Sequence, residues 1–283
     1  MSTLYVLGNG FDLSHGLPTS YDPDLKKLAI QGERFSGEWE GYSIIADLWS
    51  AVEEHLAHPD VDLILNHLGS FAPDLTSDRE SDRDSIVHEA EQLLEFPLER
   101  FAELADEKLG TTEPNAKFVN LFRADDYYLT FNYTHTLECL YEIPSSRILH
   151  LHGEVGVSPL IIGYEPGALK RTASLDDWDD KENYEHYLST AYGAVKRRLA
   201  EFEKVYQHEA LNDFVNQISR TPDRIVVIGH SLGSVDNTYF RSLVKRFPHA
   251  RWTVYARAES AIDTMRAAAE AYELGVPYDL RIL

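Results

Sequence analysis

Two histidines separated by one residue are the side chains of this sequence best suited to proton transfer. His150 and His152 follow an apolar pair, and Gly153 comes directly after them. Period-two alternation along a strand predicts that both rings point to the same face. An imidazole titrates near neutral pH, so His152 at the strand end is predicted to act as a general base. The alternatives are a buried structural role for His150 and a zinc site formed by the pair, for which no third ligand at metal-site spacing is evident.

A glycine-containing turn follows the first apolar run of the chain. Its residues are Gly8, Asn9, Gly10, Phe11 and Asp12. Two glycines permit a tight turn and let backbone N–H groups approach a pyrophosphate at the start of the next helix. The motif is not a complete G-x-G-x-x-G, because Leu13 stands at its last glycine position. A strand-to-helix turn that merely needs glycine is therefore an equal alternative.

A second polar turn ends the apolar run 127–131. It contains Thr130, Asn132 and Thr134. If strands 3–7 and 127–131 lie in one parallel sheet, Asn132 faces the same crevice as the glycine turn, where its amide can position a water or a ribose hydroxyl. The alternative is an Asx turn that opens the next helix.

A third turn matches G-x-S-x-G, the nucleophile elbow of α/β-hydrolases. It runs from Gly229 to Gly233 after the apolar run 224–228, with Ser231 at its centre. Only about fifty residues follow, and His249 is the sole downstream histidine, so a Ser–Asp–His triad in the usual order is hard to build. The alternative is a second glycine turn, in which Gly229, Ser231 and Asp236 hold ribose or phosphate.

The elements that must position these turns alternate between short apolar runs and helical patterns. The predicted strands are 3–7, 127–131, 147–151, 224–228, 251–255 and 278–283. Alternation of this kind predicts an α/β fold with a Rossmann-like parallel sheet and helices on both faces. We predict a single α/β domain over 1–283, with large helical insertions at about 33–122 and 165–222.

Composition and charge limit the kinds of molecule that this protein is expected to bind. Twenty-six basic and 47 acidic side chains give a formal charge of −21, which opposes binding to nucleic acid or to an anionic membrane. Cys139 is the one cysteine, so an intrachain disulfide and a cysteine-based zinc module are excluded, and a cytoplasmic location is expected. The sequence shows neither a signal peptide nor an apolar run long enough to span a membrane.

Taken together, the motifs resemble the sirtuin-like NAD-binding fold. The turn 8–12 with Gly-Leu-Pro at 16–18 resembles its phosphate loop, and Thr-Phe-Asn at 130–132 resembles its TQN segment. His-Gly at 152–153 resembles its catalytic HG, and Gly-His-Ser-Leu at 229–232 resembles its GTSL. A closer match is the bacteriophage abortive infection AbiH family, through Gly-Asn-Gly-Phe-Asp, Gly-Leu-Pro-Thr-Ser-Tyr, Phe-Asn-Tyr-Thr and His-Leu-His-Gly.

These resemblances imply a phage-defence protein that uses NAD as its substrate and needs no metal. The catalytic residues they imply are His152 as general base, Asn132 as the group that orients ribose or water, and Asp12 near the reacting ribose. The residues implied to bind the nucleotide are Gly8, Asn9, Gly10, Phe11, Thr130, Gly229, Ser231 and Asp236, the last two on the adenosine side. A defence-system partner protein or a homo-oligomer is compatible with the resemblance.

The chain departs from sirtuin deacetylases at several positions. It lacks their four-cysteine zinc module, Tyr21 replaces their loop arginine, and Thr134 replaces the aspartate of their NxD motif. The implied activity is therefore NAD glycohydrolysis rather than protein deacetylation. Two alternatives remain: a non-catalytic sensor of NAD or an ADP-ribose derivative, and a serine hydrolase that uses Ser231.

Overall fold

Six apolar runs form one sheet in the computed structural model, which describes residues 2–31, 41–69, 88, 97–169, 186–256, 259–271 and 278–282. The strands are β1 (Thr3–Leu7), β2 (Tyr127–Thr130), β3 (Ile148–His150), β4 (Arg224–Ile228), β5 (Arg251–Ala256) and β6 (Tyr278–Ile282). All six strands that the sequence predicts are present, and β2 and β3 end one residue earlier than predicted.

The helices fall between these strands and in two longer connections. They are α1 (Asn9–Leu13), α2 (Lys26–Gln31), α3 (Val52–His55), α4 (Val61–Gly69), α5 (Leu98–Leu109), α6 (Ala116–Val119), α7 (Thr136–Tyr141), α8 (His186–Glu201), α9 (His208–Gln217), α10 (Asn237–Arg246) and α11 (Ile262–Ala271). Within the predicted helical insertions, residues 33–40, 70–87, 89–96 and 170–185 lie outside the described residues.

The described chain divides into two compact units. The first contains the whole sheet and comprises Met1–Ser20, Leu98–Ile161 and Val205–Leu283. The second comprises Tyr21–Pro97 and Ile162–Lys204. None of the described helices has the length and apolar character that crossing a membrane requires.

The sheet of the first unit is entirely parallel, with strand order β3-β2-β1-β4-β5-β6. This is the order of a doubly wound, Rossmann-like fold, and it confirms the predicted fold class. The order reverses between β1 and β4, so the loops that follow these two strands lie side by side at the carboxyl edge. In open α/β sheets, ligands bind in the crevice at such a switch point.

Each face of the sheet is covered by helices. Leu4 and Val6 of β1 pack in one apolar cluster with residues of α9, α10 and α11. Their neighbours Tyr5 and Leu7 pack in a second cluster with residues of α1, α6 and α7. Because strand side chains alternate between faces, a continuous apolar run such as β1 can serve both clusters.

The second unit has its own core, built from α2, α3, α4 and α8. Val195 and Leu199 of α8 are buried, and the Tyr164 hydroxyl donates to the Leu199 carbonyl oxygen over 2.8 Å. Lys204 Nζ, whose side chain is fully buried, donates to Glu53 Oε1 over 2.8 Å. A buried ammonium requires such a carboxylate, because an uncompensated charge inside a protein is costly.

Candidate functional site

The glycines at the switch point allow the β1 and β4 loops to touch. The Gly10 N–H donates to the Gly229 carbonyl oxygen over 2.8 Å, and the Gly8 N–H donates to the Ile228 carbonyl oxygen over 3.0 Å. A Cβ on Gly10 would lie 2.7 Å from the Gly229 Cα, so the loops require glycine in order to pack against each other. Both N–H groups are thus engaged within the protein, and the predicted pyrophosphate contact of Gly8 and Gly10 stays a prediction.

Asp12 lies at the centre of a buried polar cluster beside this contact. Its Oδ2 accepts from the Thr134 hydroxyl over 2.6 Å, and its Oδ1 accepts from the Thr136 hydroxyl over 2.9 Å. Burial raises the pKa of Asp12 to about 6, against the opposing effect of these hydrogen bonds. A carboxyl group with a pKa near neutrality can hold or release a proton at physiological pH.

Asn132 lies beside this cluster with an amide that lacks a well-formed hydrogen bond. A hydrogen bond from its side chain is a third cause that lowers the pKa of Asp12, and only the Nδ2 amide can donate it. This contact falls outside ordinary hydrogen-bond geometry, so the buried Nδ2 has no well-formed hydrogen bond to the described residues. The backbone N–H of Asn132 donates to Thr130 Oγ1 over 3.1 Å, so Thr130 fixes this turn. A buried amide donor without an acceptor is costly unless a ligand or water satisfies it.

A second buried cluster joins the ends of β3 and β4. His152 Nε2 lies 3.1 Å from Asp236 Oδ1, and His230 Nε2 lies 3.3 Å from Asp236 Oδ2. The Leu232 N–H donates to His230 Nδ1, so the Nε2 of the neutral His230 ring carries the proton that faces Asp236. The sequence predicted Asp236 on the adenosine side of a nucleotide, whereas in the structure it is the direct partner of His152.

Phe131 packs against both histidines of this cluster. Its ring centroid is 4.9 Å from that of His152 and 4.3 Å from that of His230, both in edge-on geometry. Phe131 and Asn132 are consecutive residues at the end of β2, and they reach the histidine cluster and the Asp12 cluster respectively. The end of β2 therefore connects the two clusters.

The prediction that His150 and His152 share one strand face is wrong. Strand β3 ends at His150, so period-two alternation does not extend to His152, which lies in the following turn. His150 instead contacts Glu138 through Nε2 at 3.1 Å and the Asn132 carbonyl oxygen through Nδ1 at 3.1 Å. The two rings thus belong to different clusters.

The remaining predicted site residues have varied surroundings. Asn9 Nδ2 donates to the Thr19 carbonyl oxygen over 2.6 Å and ties down the polar loop after α1. The Phe11 side chain is buried in an aromatic cluster with Phe118 and Phe122, and its backbone N–H donates to the Gly8 carbonyl oxygen over 2.8 Å. Ser231 is exposed and makes no hydrogen bond to a histidine among the described residues.

The structure adds residues that the sequence analysis did not select. His135 Nδ1 donates to Asp106, and its Nε2 donates to Glu154 Oε1 over 3.0 Å. The hydrogen bond to Asp106 is the main reason that the pKa of His135 rises to about 9, so the ring is an imidazolium. His230 lies in the G-x-S-x-G motif beside Ser231, and it contacts Asp236. No spacing signal connects Asp106 with His135, because they come from separate elements.

A family model described as bacteriophage abortive infection AbiH matches residues 4–256, which include both buried clusters. This match confirms the family resemblance drawn from the motifs. No curated protein and no solved structure matches the chain.

Proposed function

The chain belongs to the bacteriophage abortive infection AbiH family, and from this membership we propose that it defends cells by hydrolysing NAD. The bond cleaved is the one between nicotinamide and ribose. The family name connects the chain with abortive infection, and the chemistry is our inference from the site.

One observation carries the proposal. A buried histidine–aspartate pair, from the segments after β3 and β4, and the buried Asn132 amide after β2, whose Nδ2 has no well-formed hydrogen bond among the described residues, lie at the carboxyl edge of a Rossmann-like sheet with its switch point at β1 and β4. Nucleotides bind at this place in such sheets. His152 can accept a proton, and Asn132 can donate a hydrogen bond to a ribose hydroxyl or a water.

The residues divide the reaction between them. The C1′–N bond breaks with its electron pair moving to the pyridinium nitrogen, so nicotinamide leaves as a neutral molecule and positive charge develops on the ribose. Water then bonds to C1′, and its proton passes to His152. The products are nicotinamide, ADP-ribose and one proton. Transition states of this oxocarbenium type are stabilised by nearby carboxylates and by hydrogen bonds to the sugar 2-hydroxyl.

Asp236 is a positioning residue in this scheme. A carboxylate next to Nε2 holds that proton on the ring, which leaves the Nδ1 lone pair free to act as the base. Nδ1 makes no hydrogen bond to the described residues, so it is available. Asp12, with its pKa near 6, is expected to lie close to the reacting ribose as a carboxylate at neutral pH.

The test is to incubate the purified protein with NAD and to separate nicotinamide and ADP-ribose by chromatography. His152→Ala is expected to lower turnover by ~10²–10⁴-fold, the usual contribution of a general base, without a change in melting temperature of more than a few degrees. His249→Ala is the matched control, because His249 is exposed and lies outside both clusters.

The outcomes separate the candidate functions. Full turnover in a folded His152→Ala protein would remove His152 from the mechanism. NAD binding by calorimetry without nicotinamide release would favour a sensor. Labelling of Ser231 by a fluorophosphonate would favour a serine hydrolase, for which the exposed Ser231 without a histidine partner gives no support.

A further inference from the structure

We propose that Glu138, His150 and Glu154 bind one divalent metal ion at the carboxyl edge of β3. Each side chain offers one ligand atom, and these atoms all lie within 4.8 Å of one another. Glu138 comes from α7, His150 ends β3, and Glu154 follows the turn after β3. The site does not depend on NAD hydrolysis, and its test measures metal binding.

The spacing suits a first-row ion. Ligands at 2.0–2.2 Å from such an ion lie roughly 3 Å apart when adjacent and at most roughly 4.4 Å apart when opposite, so one ion is within reach of all three atoms after small side-chain movements. The Nε2 of His150 and Oε1 of Glu138 are already 3.1 Å apart, a separation typical of adjacent ligands.

The hydrogen bonds of His150 fix which ring nitrogen is available. Its Nδ1 lies 3.1 Å from the carbonyl oxygen of Asn132, and a carbonyl oxygen can only accept, so Nδ1 carries the proton. Nε2 faces Oε1 of Glu138 at 3.1 Å, with a proton between the two atoms when the ring donates to the carboxylate. A metal ion bound by both atoms would replace that proton. Metal-binding histidines commonly donate the other ring N–H to a backbone carbonyl in this way.

Glu138 provides an independent indication. Its Oε2 atom is buried and has no hydrogen-bond partner among the described residues, while the whole side chain is only 17% exposed. A buried carboxylate oxygen without a donor has lost its hydration without compensation. A metal ion bound to Glu138 would supply that compensation.

Carboxylates surround the site. Glu138 and Glu154 are partly buried, and each contacts one ring nitrogen of a histidine. His135 contacts Asp106 through Nδ1 and Glu154 through Nε2. His135 would also orient Glu154 by its hydrogen bond, as residues that contact metal ligands but not the metal itself commonly do.

One imidazole and two carboxylates select among the divalent ions. Mg²⁺ and Ca²⁺ prefer oxygen ligands alone, whereas Mn²⁺ and Zn²⁺ accept imidazole with carboxylate. Three protein ligands leave at least one coordination position for water or another ligand. We therefore use Mn²⁺ and Zn²⁺ as probes.

The first experiment needs no substitution. The metal-free protein is prepared by dialysis against EDTA and titrated with MnCl₂ by equilibrium dialysis with excess Mg²⁺ present. One Mn²⁺ per chain is expected, and electron spin echo envelope modulation of the bound ion should show coupling to an imidazole nitrogen. Failure to bind Mn²⁺ or Zn²⁺, or a Mn²⁺ spectrum without nitrogen coupling, would overturn the proposal.

The second experiment identifies the ligands. Glu138→Gln and Glu154→Gln keep the side-chain shape and are each expected to weaken Zn²⁺ and Mn²⁺ binding at least tenfold. Glu113→Gln is the matched control, since Glu113 is exposed and outside the network, and it should bind as the wild type does. Equal affinities in all three variants, or equal losses, would show general attraction to an acidic surface and would also overturn the proposal.

Discussion

At the scale of individual residues, the buried carboxyl group of Asp12 differs from that of an ordinary, exposed aspartate. Desolvation in the interior disfavours its ionised form, while the hydroxyls of Thr134 and Thr136 favour it. Burial is the larger effect, so the pKa rises from 3.8 to about 6. The native state therefore holds this proton more tightly than the unfolded chain does.

This difference predicts how stability depends on pH. Because the native state binds more protons between pH 4 and 6, the free energy of unfolding that Asp12 contributes falls as pH rises through this range and is constant above it. A shift of this size corresponds to on the order of 3 kcal/mol. Asp12→Asn should remove this dependence. The free energy of unfolding of the variant should therefore increase relative to that of the wild type as pH rises. Urea unfolding at pH 4 to 7 measures the difference.

Asp125→Asn serves as the control for that comparison, because Asp125 is exposed. Its free energy of unfolding should follow the wild type across the whole range. If the Asp12→Asn and wild-type curves stay parallel, the Asp12 carboxyl titrates normally, and its assignment as a tuned group at the site is wrong.

At the scale of elements, the contact between the loop after β4 and the start of α1 determines the geometry of the switch point. Gly229 has φ +69°, a conformation that favours glycine. A Cβ added there would lie 2.2 Å from the Phe11 backbone nitrogen, so an alanine would force the two backbones apart.

We therefore expect Gly229→Ala to destabilise the protein by ~2–4 kcal/mol, from overpacking together with left-handed strain. Gly16→Ala separates the two effects, because Gly16 has φ +73° and no atom within 4 Å of an added Cβ. Gly16→Ala should destabilise the protein by only ~1–2 kcal/mol, because it introduces the backbone strain without the overpacking. Chemical denaturation of both variants measures the difference, and equal losses would mean that the loops do not need their close contact.

At the scale of the whole molecule, net charge is the dominant property. A formal charge of −21 at neutral pH produces repulsion throughout the folded chain, and this repulsion opposes the compact state. Salt shortens the range of the repulsion, since the Debye length falls from about 30 Å at 0.01 M to about 8 Å at 0.15 M.

Raising KCl from 0.01 to 0.15 M should therefore raise the melting temperature, by roughly 2–4 °C for each ~1 kcal/mol of repulsion that is screened. Differential scanning fluorimetry measures the shift, and sucrose at the same osmolarity is the control for effects other than screening. A melting temperature that is unchanged or lower in KCl would mean that attractive ion pairs outweigh the net repulsion.

The sequence by itself determined the strands, the fold class and the family. Apolar runs such as Thr3–Leu7 indicate strands that are buried on both faces, and their alternation with helical patterns predicts a parallel sheet covered by helices. The motif order identified the AbiH family, and a match over residues 4–256 confirms it. Asp12, Asn132 and His152 could be selected because polar residues directly after such strands lie at the carboxyl edge of the sheet.

Only the tertiary structure decided which side chains meet. His152 and Asp236 are separated by 84 positions, and their contact depends on β3 and β4 ending at the same edge. His150 and His152 belong to different clusters because β3 ends at His150. The alternation of residue types in the sequence does not reveal where the strand ends. Glu138 and Glu154 lie near His150 because of the directions in which α7 and the turn after β3 leave the sheet. Contacts of this kind follow from packing in three dimensions, because no local pattern of residue types encodes them.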